Sequence, residues 1–252
     1  MTAVALITGG HHGLGLDLAE ALALAGYRIA VVGETPPDQP VVEHALSRLG
    51  EEARYFRHDF RDATAAAALF DAVERDMAPV TTYVTAADIP VRHRGDLLEI
   101  EAEIFDPALD VLLRGGFHLA QAVARGMAGR SSRQYRSMIF VTSVSAGMAS
   151  AERSENSILM AGVAMMAQVF AVRMAPLGIG VFELRPGLIE TAFPPGQRDR
   201  FTARIEGGLV PAARWGQAAD VASVAVAIAE GRLGFSTGAV IPVDGGLSIA
   251  RL

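Results

Sequence analysis

A cluster of glycines directly after the first apolar run constrains the fold of this chain more than any other stretch. Leu6 and Ile7 suit a buried parallel strand, and residues 8–15 then read TGGHHGLG. Glycines permit a tight turn and let a ligand approach the backbone closely. Apolar residues recur beyond the turn at three- and four-residue spacing, which predicts a helix through Leu14, Leu18, Ala21, Leu22 and Ala25. The N–H groups at the start of this helix would hold a diphosphate, although a purely structural turn fits the same residues.

A second buried strand is predicted at residues 28–33, after Gly26 ends the helix. Strand, helix and strand in this order predict a βαβ unit with a parallel sheet. Glu34 follows the strand and lies 19 residues beyond Gly15, near the spacing at which an acidic residue meets an adenosine ribose in such units. A solvated loop carboxylate is the alternative interpretation of Glu34.

The composition of the chain narrows its class. Its 252 residues, 51% of them hydrophobic, suffice for one large α/β domain over residues 1–252, and no internal linker interrupts them. A net charge of −6 argues against a nucleic-acid surface. The chain has no cysteine, so disulfides and thiolate metal sites are excluded, and no metal site is predicted. All 22 basic residues are arginine, so no step of the chemistry can use a lysine.

Neither a secretory leader nor a membrane span is predicted. The first strand begins at once, and no basic region, apolar segment and cleavage site precede it. No uninterrupted apolar run reaches about 18 residues. Because the lack of cysteine also suits a reducing compartment, we expect the protein in the cytoplasm.

Five further strands are predicted at residues 53–58, 81–86, 137–143, 180–184 and 240–243. Because the carboxyl ends of parallel strands meet at one edge of the sheet, Asp59, Thr85 and Asp88 would approach the same nucleotide. His93 lies in the loop after the fourth of the seven strands, where a solvated side chain is the favoured interpretation.

Two helical segments, 104–127 and 156–175, are apolar on more than one face. Their methionines are interpreted as packing residues. The two segments together predict a subunit interface in a homodimer or homotetramer. Between the last strands, residues 192–214 shift to proline, glycine and arginine, which indicates a mobile lid or a small helical insertion over the crevice.

Several short motifs keep the order and spacing of one known family over nearly the whole chain. They are Thr8-Gly9-x-x-x-Gly13-x-Gly15, the acidic Asp59, Pro186-Gly187 with Thr191, and Ser236-Thr237-Gly238 leading to Val243-Asp244-Gly245-Gly246. Together they resemble the short-chain dehydrogenase/reductase family. The resemblance implies a single Rossmann-type α/β domain, doubly wound, with a parallel sheet of about seven strands.

The resemblance also implies which residues touch a cofactor. In this family the glycine turn contacts the pyrophosphate, the residue at Asp59 the adenine, and the residue at Thr191 the nicotinamide amide. The positions carried over are Thr8, Gly9, Gly13, Leu14, Gly15, Glu34, Asp59, Phe60, Ala86, Pro186, Gly187, Ile189 and Thr191. Gly33 stands where many NAD-dependent members carry aspartate, and Glu34 where NADP-dependent members often carry arginine. Since a carboxylate repels a 2′-phosphate, NAD is the expected cofactor.

The catalytic motif departs from the family pattern. Members carry a serine after the fifth strand, then a tyrosine and a lysine one helical turn apart, and an asparagine in the preceding long helix. Ser143 matches the serine, whereas the other positions fall on Asn156, Met160 and Leu112. No gap restores the motif, because the chain has no lysine and none of its four tyrosines has an arginine four residues on.

These replacements predict a degenerate active site. Carbonyl reduction leaves an alkoxide, to which the family's tyrosine delivers a proton with the help of a neighbouring cation. Asn156 donates a hydrogen bond but no proton, and Met160 supplies neither charge nor hydrogen bond. We therefore expect a nucleotide-binding relative of the family whose carbonyl reduction is impaired or lost and which acts in binding, regulation or assembly.

Two other functions stay open. In the first, a working NAD-dependent oxidoreductase interconverts an alcohol and a ketone, with Ser143, Asn156 and Glu155 around the substrate and Glu155 as a non-standard proton donor. A solvated carboxylate at a helix start is the favoured interpretation of Glu155, and a serine that bonds its own backbone fits Ser143 equally. In the second, the protein binds no nucleotide.

Overall fold

Seven parallel strands form one sheet in the computed structural model, which describes residues 3–87, 96–192 and 195–251. The strands are β1 (Val4–Thr8), β2 (Arg28–Gly33), β3 (Arg54–Arg57), β4 (Val80–Thr85), β5 (Arg136–Val141), β6 (Ile179–Pro186) and β7 (Val240–Val243). Their order across the sheet is β3-β2-β1-β4-β5-β6-β7. The order reverses between β1 and β4, which places a ligand crevice at the carboxyl ends of these strands. The predicted Rossmann-type domain is confirmed.

Helices cover both faces of the sheet. Within the described residues they are α1 (Gly13–Leu24), α2 (Pro40–Leu49), α3 (Ala66–Asp76), α4 (Ala102–Leu109), α5 (Gly116–Ala128), α6 (Ser154–Met174), α7 (Pro195–Glu206) and α8 (Ala218–Ala229). One apolar core lies between the sheet and α1, α2 and α8, and a second lies between the sheet and α3, α5 and α6. The central strands are buried on both faces, which explains their continuous apolar runs.

The segment predicted as one helix over residues 104–127 is interrupted. After α4 the chain forms a π-helical stretch, Asp110–Gly115, and α5 begins only at Gly116. Gly115 packs against the chain beyond β3, since a Cβ there would lie 2.1 Å from the carbonyl oxygen of Phe60. The apolar pattern runs through the interruption, so periodicity alone could not detect it. Such π segments are frequent at functional sites, and this one contains Leu112.

The longest helix of the described residues, α6, is buried on one side only. The stretch Ala151–Leu177 is long and apolar enough to span a membrane by composition, because an 18-residue window within it has a mean hydropathy of 1.8. In the fold its inner side packs on β5 and β6, as a core helix does. Its outer side exposes four large apolar residues, here called the α6 stripe: Ile158, Met165, Val169 and Val172. Of its methionines, Met160 and Met174 pack in the core, as interpreted, whereas Met165 is exposed on the side where the subunit interface is predicted.

Residues 192–214 contain the helix α7 rather than an irregular loop. The helix has a small core of its own around Ile205, Val210 and Leu247. Trp215 fixes it further, because the indole Nε1 donates a hydrogen bond to Thr202 Oγ1 at 2.9 Å. A small helix therefore lies in this segment, and its role as a lid over the crevice stays a prediction.

Candidate functional site

The glycine turn packs tightly between β1 and α1. Gly9 has a φ of 70°, and a Cβ there would lie 2.7 Å from the carbonyl oxygen of Ala86. A Cβ on Gly15 would lie 2.3 Å from the carbonyl oxygen of Gly9. Thr8 ties the turn to β4, since its Oγ1 accepts the N–H groups of Ala86 and Ala87 at 3.1 Å each. No side chain fits at Gly9 or Gly15, so the backbone itself forms the wall of the crevice.

The start of α1 is suited to an anion. The side chain of His12, at the N-cap, makes no capping hydrogen bond, and the first turn contains no acidic residue. Gly13 has a φ of 52°, and a Cβ there would meet no atom within 4 Å, so this side of the turn faces open space. The first N–H groups of a helix have no partner within it and lie at the positive end of its dipole. The turn therefore fits a pyrophosphate, with the backbone N–H of Leu14 among the possible donors.

Two carboxylates lie at the adenosine end of the predicted crevice. Glu34 is exposed, and its Oε1 accepts the backbone N–H of the buried Phe60 at 3.3 Å. Asp59 is held by Arg61 through two hydrogen bonds of 2.8 and 3.0 Å, which keep the pKa of this carboxyl below its usual range. Glu34 is thus fixed beside the end of β2, and the contact of Asp59 with adenine stays a prediction.

His11 is a buried residue of the turn that the sequence motifs did not single out. It is 4% exposed, its Nε2 hydrogen bonds to Thr35 Oγ1 at 2.9 Å, and its Nδ1 has no hydrogen-bond partner within the described structure. Burial, with a smaller contribution from the neighbouring His12, lowers the pKa of His11 to about 4. The two adjacent histidines inside the glycine turn were the available signal, but nothing in their spacing shows that one of them is buried.

We expect His11 to make the protein less stable in mild acid. Its pKa is about 4 in the folded protein, against 6.5 for a histidine in an unfolded chain. The unfolded chain therefore binds more protons between these values, and stability falls as the pH drops below 6.5. At pH 5 the expected loss of unfolding free energy, relative to pH 8, is about 2 kcal/mol. Burial also lowers the pKa of His58, which acts in the same direction. Urea unfolding at both pH values measures the loss.

Two variants separate this effect from general acid sensitivity. His11→Gln removes the titrating group, so its unfolding free energy should differ less between pH 8 and pH 5 than that of the wild type. His44→Gln replaces an exposed histidine on α2 and should keep the wild-type difference. If His11→Gln loses as much stability in acid as the wild type, His11 is not responsible.

Ser143, Asn156 and Met160 lie around the start of α6. The side chain of Ser143 accepts the N–H of Ser145 at 3.2 Å and caps the short helical turn that follows β5. Helix α6 packs against this turn. Asn156 and Met160 are 7% and 6% exposed, and their spacing of one helical turn places them on the same face. Ser143 therefore forms a hydrogen bond with the local backbone, as one of its two interpretations requires.

Met160 and Leu112 meet at a small cavity of about 30 Å³ beside Thr8. The π-helical stretch brings Leu112 to this place, and α6 brings Met160. The hydroxyls of Tyr83 and Thr85, also in the lining, are buried without a hydrogen-bond partner within the described structure. Tyr83 is the one titratable residue in the described lining, and burial raises its pKa further from neutrality. At neutral pH this cavity has no group that readily releases a proton.

Glu155 is buried rather than solvated, which makes the favoured interpretation of this residue wrong. It is 5% exposed, and its Oε2 has no hydrogen-bond partner within the described structure. The residue does lie in the first turn of α6, where a carboxylate is stabilised by the helix dipole. Its burial comes from tertiary packing around the helix start, which a local argument about helix ends does not include.

The predicted nicotinamide end lies beyond β6. Pro186 is the last residue of that strand, and a Cβ on Gly187 would lie 2.7 Å from the Cα of Asp244, which ties this turn to the end of β7. Ile189 is buried, whereas Thr191 is exposed. The backbone of Gly187 therefore lies close to that of Asp244. The contact of Thr191 with a nicotinamide amide stays a prediction.

Two polar residues discussed above, Asp88 and His93, lie outside the described residues. Among the residues that are described, no group of three or more His, Asp and Glu side chains is placed to hold a metal ion. The described site combines a backbone turn whose open side fits a pyrophosphate with a small cavity lined mostly by apolar residues.

Comparison with known proteins identifies the family. A family model described as enoyl-(acyl carrier protein) reductase matches residues 9–248. The chain is a short-chain dehydrogenase/reductase. The match to the family model extends from the glycine turn to the turn after β7, so it includes both ends of the candidate site.

Curated relatives of this short-chain dehydrogenase/reductase cover nearly its full length. The 3-oxoacyl-[acyl-carrier-protein] reductase MabA of Mycobacterium tuberculosis is 30% identical over 248 residues, which are 98% of this chain and 93% of that protein. Gluconate 5-dehydrogenase of Gluconobacter oxydans is 26% identical over 251 residues, 98% of this chain and 94% of that protein. The chain is thus similar along its whole length to enzymes named for the oxidation or reduction of different substrates.

Solved structures show the same architecture. A 3-oxoacyl-[acyl-carrier protein] reductase from Brucella melitensis in complex with NAD has a TM-score of 0.92 and 39% identity, and the match covers 100% of this chain and 99% of that one. A gluconate 5-dehydrogenase from Burkholderia cenocepacia in complex with NADP and tartrate has a TM-score of 0.88 and 28% identity, with 99% and 96% covered. Solved relatives therefore carry either nicotinamide dinucleotide.

Proposed function

We propose that this short-chain dehydrogenase/reductase binds a nicotinamide dinucleotide, NAD in preference to NADP, and has lost ordinary carbonyl reduction. It would then act as a binding, regulatory or assembly subunit, and the lack of cysteine suits a cytoplasmic location. The observation that carries the proposal is the cavity where Met160 and Leu112 meet without a group that releases a proton at neutral pH. The open, uncapped start of α1 beside the glycine turn supports the binding part.

We expect carbonyl reduction to be lost because the reaction creates a negative charge on the carbonyl oxygen, and the described lining of the cavity has no group that readily protonates it at neutral pH. A bound reduced nicotinamide supplies a hydride, and the carbonyl oxygen that gains the electron pair needs hydrogen bonds and a proton. Ser143 and Asn156 can donate hydrogen bonds, but neither releases a proton near neutral pH. Removing a general acid typically lowers a rate by about 10² to 10⁴. Met160 also brings no cation to depress the pKa of a neighbouring acid.

A working oxidoreductase is the second candidate, and the burial of Glu155 favours it. The side chain of Glu155 is 5% exposed, and its Oε2 has no hydrogen-bond partner within the described structure, so bulk water does not surround this carboxyl group. The names of the relatives, a 3-oxoacyl-[acyl-carrier-protein] reductase and a gluconate 5-dehydrogenase, point the same way. In this function Glu155 would donate the proton while Ser143 and Asn156 hold the substrate oxygen.

Calorimetric titration followed by a turnover assay distinguishes the two. We expect NADH to bind and its absorbance at 340 nm to stay constant when 3-oxoacyl thioesters, keto sugar acids or simple ketones are added. Turnover that Glu155→Gln abolishes would instead support the working oxidoreductase. If neither NADH nor NADPH binds at millimolar concentration, both functions are wrong.

We also propose that the protein forms a homo-oligomer through α5 and α6. The α6 stripe is exposed in the single chain, and next to it lies an apolar cavity of about 320 Å³ that Phe117, Phe170 and Met174 line. Apolar patches of this kind on one face are typical of subunit interfaces, and a second copy would present the same face.

Charges on the α6 stripe should dissociate the oligomer. The variant Val169→Glu with Val172→Glu places two carboxylates on this face, where a partner would have to bury them. We expect sedimentation to give the mass of one chain for this variant and a larger mass for the wild type. Leu24→Glu is the matched control, because Leu24 is an equally apolar and 91% exposed residue at the end of α1. A wild type that sediments as a monomer would contradict the proposal.

A further inference from the structure

The ring of His11 fills the space beside the last residue of β2. A Cβ on Gly33 would lie 2.6 Å from Cε1 of His11 and 2.8 Å from Oη of Tyr55. The ring is held in place on two other sides: Nε2 bonds to Thr35 Oγ1 at 2.9 Å, and the Tyr55 ring packs edge-on at a centroid distance of 5.6 Å. Tyr55 is itself fixed, because its hydroxyl donates to the carbonyl oxygen of Thr35 at 2.7 Å.

This place has a defined role in a dinucleotide-binding βαβ unit. The end of the second strand is where a carboxylate receives a hydroxyl of the adenosine ribose. A Cβ at position 33 would lie within 3 Å of side-chain atoms of His11 and Tyr55, so an aspartate there requires both side chains to move. Glycine at position 33 thus leaves room for the histidine ring, and the carboxylate that follows the strand end is Glu34.

We propose that His11 forms the wall of the adenosine-ribose subsite in place of a side chain at position 33, and that with Glu34 it restricts the site to dinucleotides with a free 2′-hydroxyl. This inference rests on the proposed binding of a nicotinamide dinucleotide and deepens it by naming the residues that select the cofactor.

Neither His11, which forms this wall, nor Glu34 attracts a 2′-phosphate. The imidazole is neutral at pH 7, because burial lowers its pKa to about 4, so it offers no cation to a phosphate. Glu34 adds a negative charge that a phosphate must approach. Arg61 is paired with the carboxylate of Asp59 through two hydrogen bonds. The Nε of Arg57 donates to the neutral carbonyl oxygen of Glu34 at 3.2 Å, so Arg57 keeps its positive charge and is the cation that a 2′-phosphate would have to reach. A ribose hydroxyl carries no charge and meets no repulsion from Glu34.

Titration calorimetry with NADH and NADPH on the full chain tests the proposal. We expect the wild type to bind NADH at least about 10-fold more tightly than NADPH, which corresponds to one like-charge contact. His11→Ser removes the wall and should lower this ratio at least about 3-fold. Gly33→Asp should lose binding of both nucleotides because of the collision. The double variant His11→Ser with Gly33→Asp should regain NADH binding and the preference for it, since the carboxylate then takes the space of the ring and only the end of the Tyr55 side chain still has to shift.

The controls separate selection from packing. His44→Ser, at an exposed position on α2, should leave the ratio of the two affinities unchanged. If His11→Ser remains folded and keeps the wild-type ratio, or if Gly33→Asp alone binds NADH as the wild type does, His11 does not form this wall. A wild type that binds neither nucleotide would overturn the proposed function itself. If His11→Ser alone does not fold, the NADH and NADPH affinities of the double variant test the role of His11 instead.

Discussion

The double variant Asn156→Tyr with Met160→Lys should reduce a simple ketone with NADH about 10² to 10⁴ times faster than the wild type. The two residues are buried one helical turn apart on α6, beside the turn that Ser143 caps. A lysine at position 160 would bring its ammonium group to the site and depress the pKa of the new tyrosine. The tyrosine would then deliver the proton that asparagine cannot.

The cavity beside Met160 makes this exchange sterically reasonable. It offers about 30 Å³ to a longer polar side chain, together with the hydroxyls of Tyr83 and Thr85, which have no hydrogen-bond partner among the residues that the structure describes. Asn156→Phe with Met160→Lys is the matched control, because it keeps the ring and the cation but lacks the acidic hydroxyl, and it should stay inactive. Consumption of NADH followed at 340 nm measures the rates. A wild type already as fast as the double variant would show that its own residues supply the proton.

We expect Gly15→Ala to weaken the binding of NADH at least about 100-fold. The added Cβ would lie 2.3 Å from the carbonyl oxygen of Gly9, a backbone atom that only a rearrangement of the turn can move. The N–H groups that face the pyrophosphate then lose their alignment. Hydrogen bonds to a charged group contribute about 1.5–3 kcal/mol each, and a tenfold change in affinity corresponds to about 1.4 kcal/mol.

Calorimetry gives the affinity of this variant, and far-UV circular dichroism shows whether it remains folded. Gly234→Ala is the control, since a Cβ there would meet Tyr135 at 3.6 Å, an ordinary contact far from the turn in sequence. It should bind NADH as the wild type does. An affinity of Gly15→Ala equal to that of the wild type would show that the turn does not hold the dinucleotide.

Much of the fold was predictable because it depends on short-range patterns. The apolar runs of β1 and β2, with the glycine turn and α1 between them, specify a βαβ unit, and all seven strands were found with ends that differ by only a few residues. The candidate catalytic positions rest on the same kind of argument from spacing, and they stay predictions. Ser143, Asn156 and Met160 lie at fixed spacings, and a chain without lysine cannot place one at any of them.

Other features depend on contacts between distant segments. The π-helical stretch, Asp110–Gly115, lies within an unbroken apolar pattern, and its Gly115 packs on the backbone of Phe60. Glu155 has the sequence context of a solvated helix start, yet it is buried. Nothing in the sequence around His11 indicates that its ring packs against Gly33, a residue at the end of another strand.

The order of the residues was sufficient to predict the doubly wound sheet and the glycine turn, whereas the replacement of the family's tyrosine and lysine at positions 156 and 160 stays a prediction. Periodicity and spacing are properties of residues that are near one another in the chain, so they can be identified from the sequence alone. Only the tertiary structure, in which α1, α5 and α6 pack on the sheet, shows which side chains are removed from water. It also shows that the His11 ring lies against Gly33 and that one apolar face of α6 is left uncovered. Burial is a sum over contacts from separate parts of the chain, and no local pattern contains that sum.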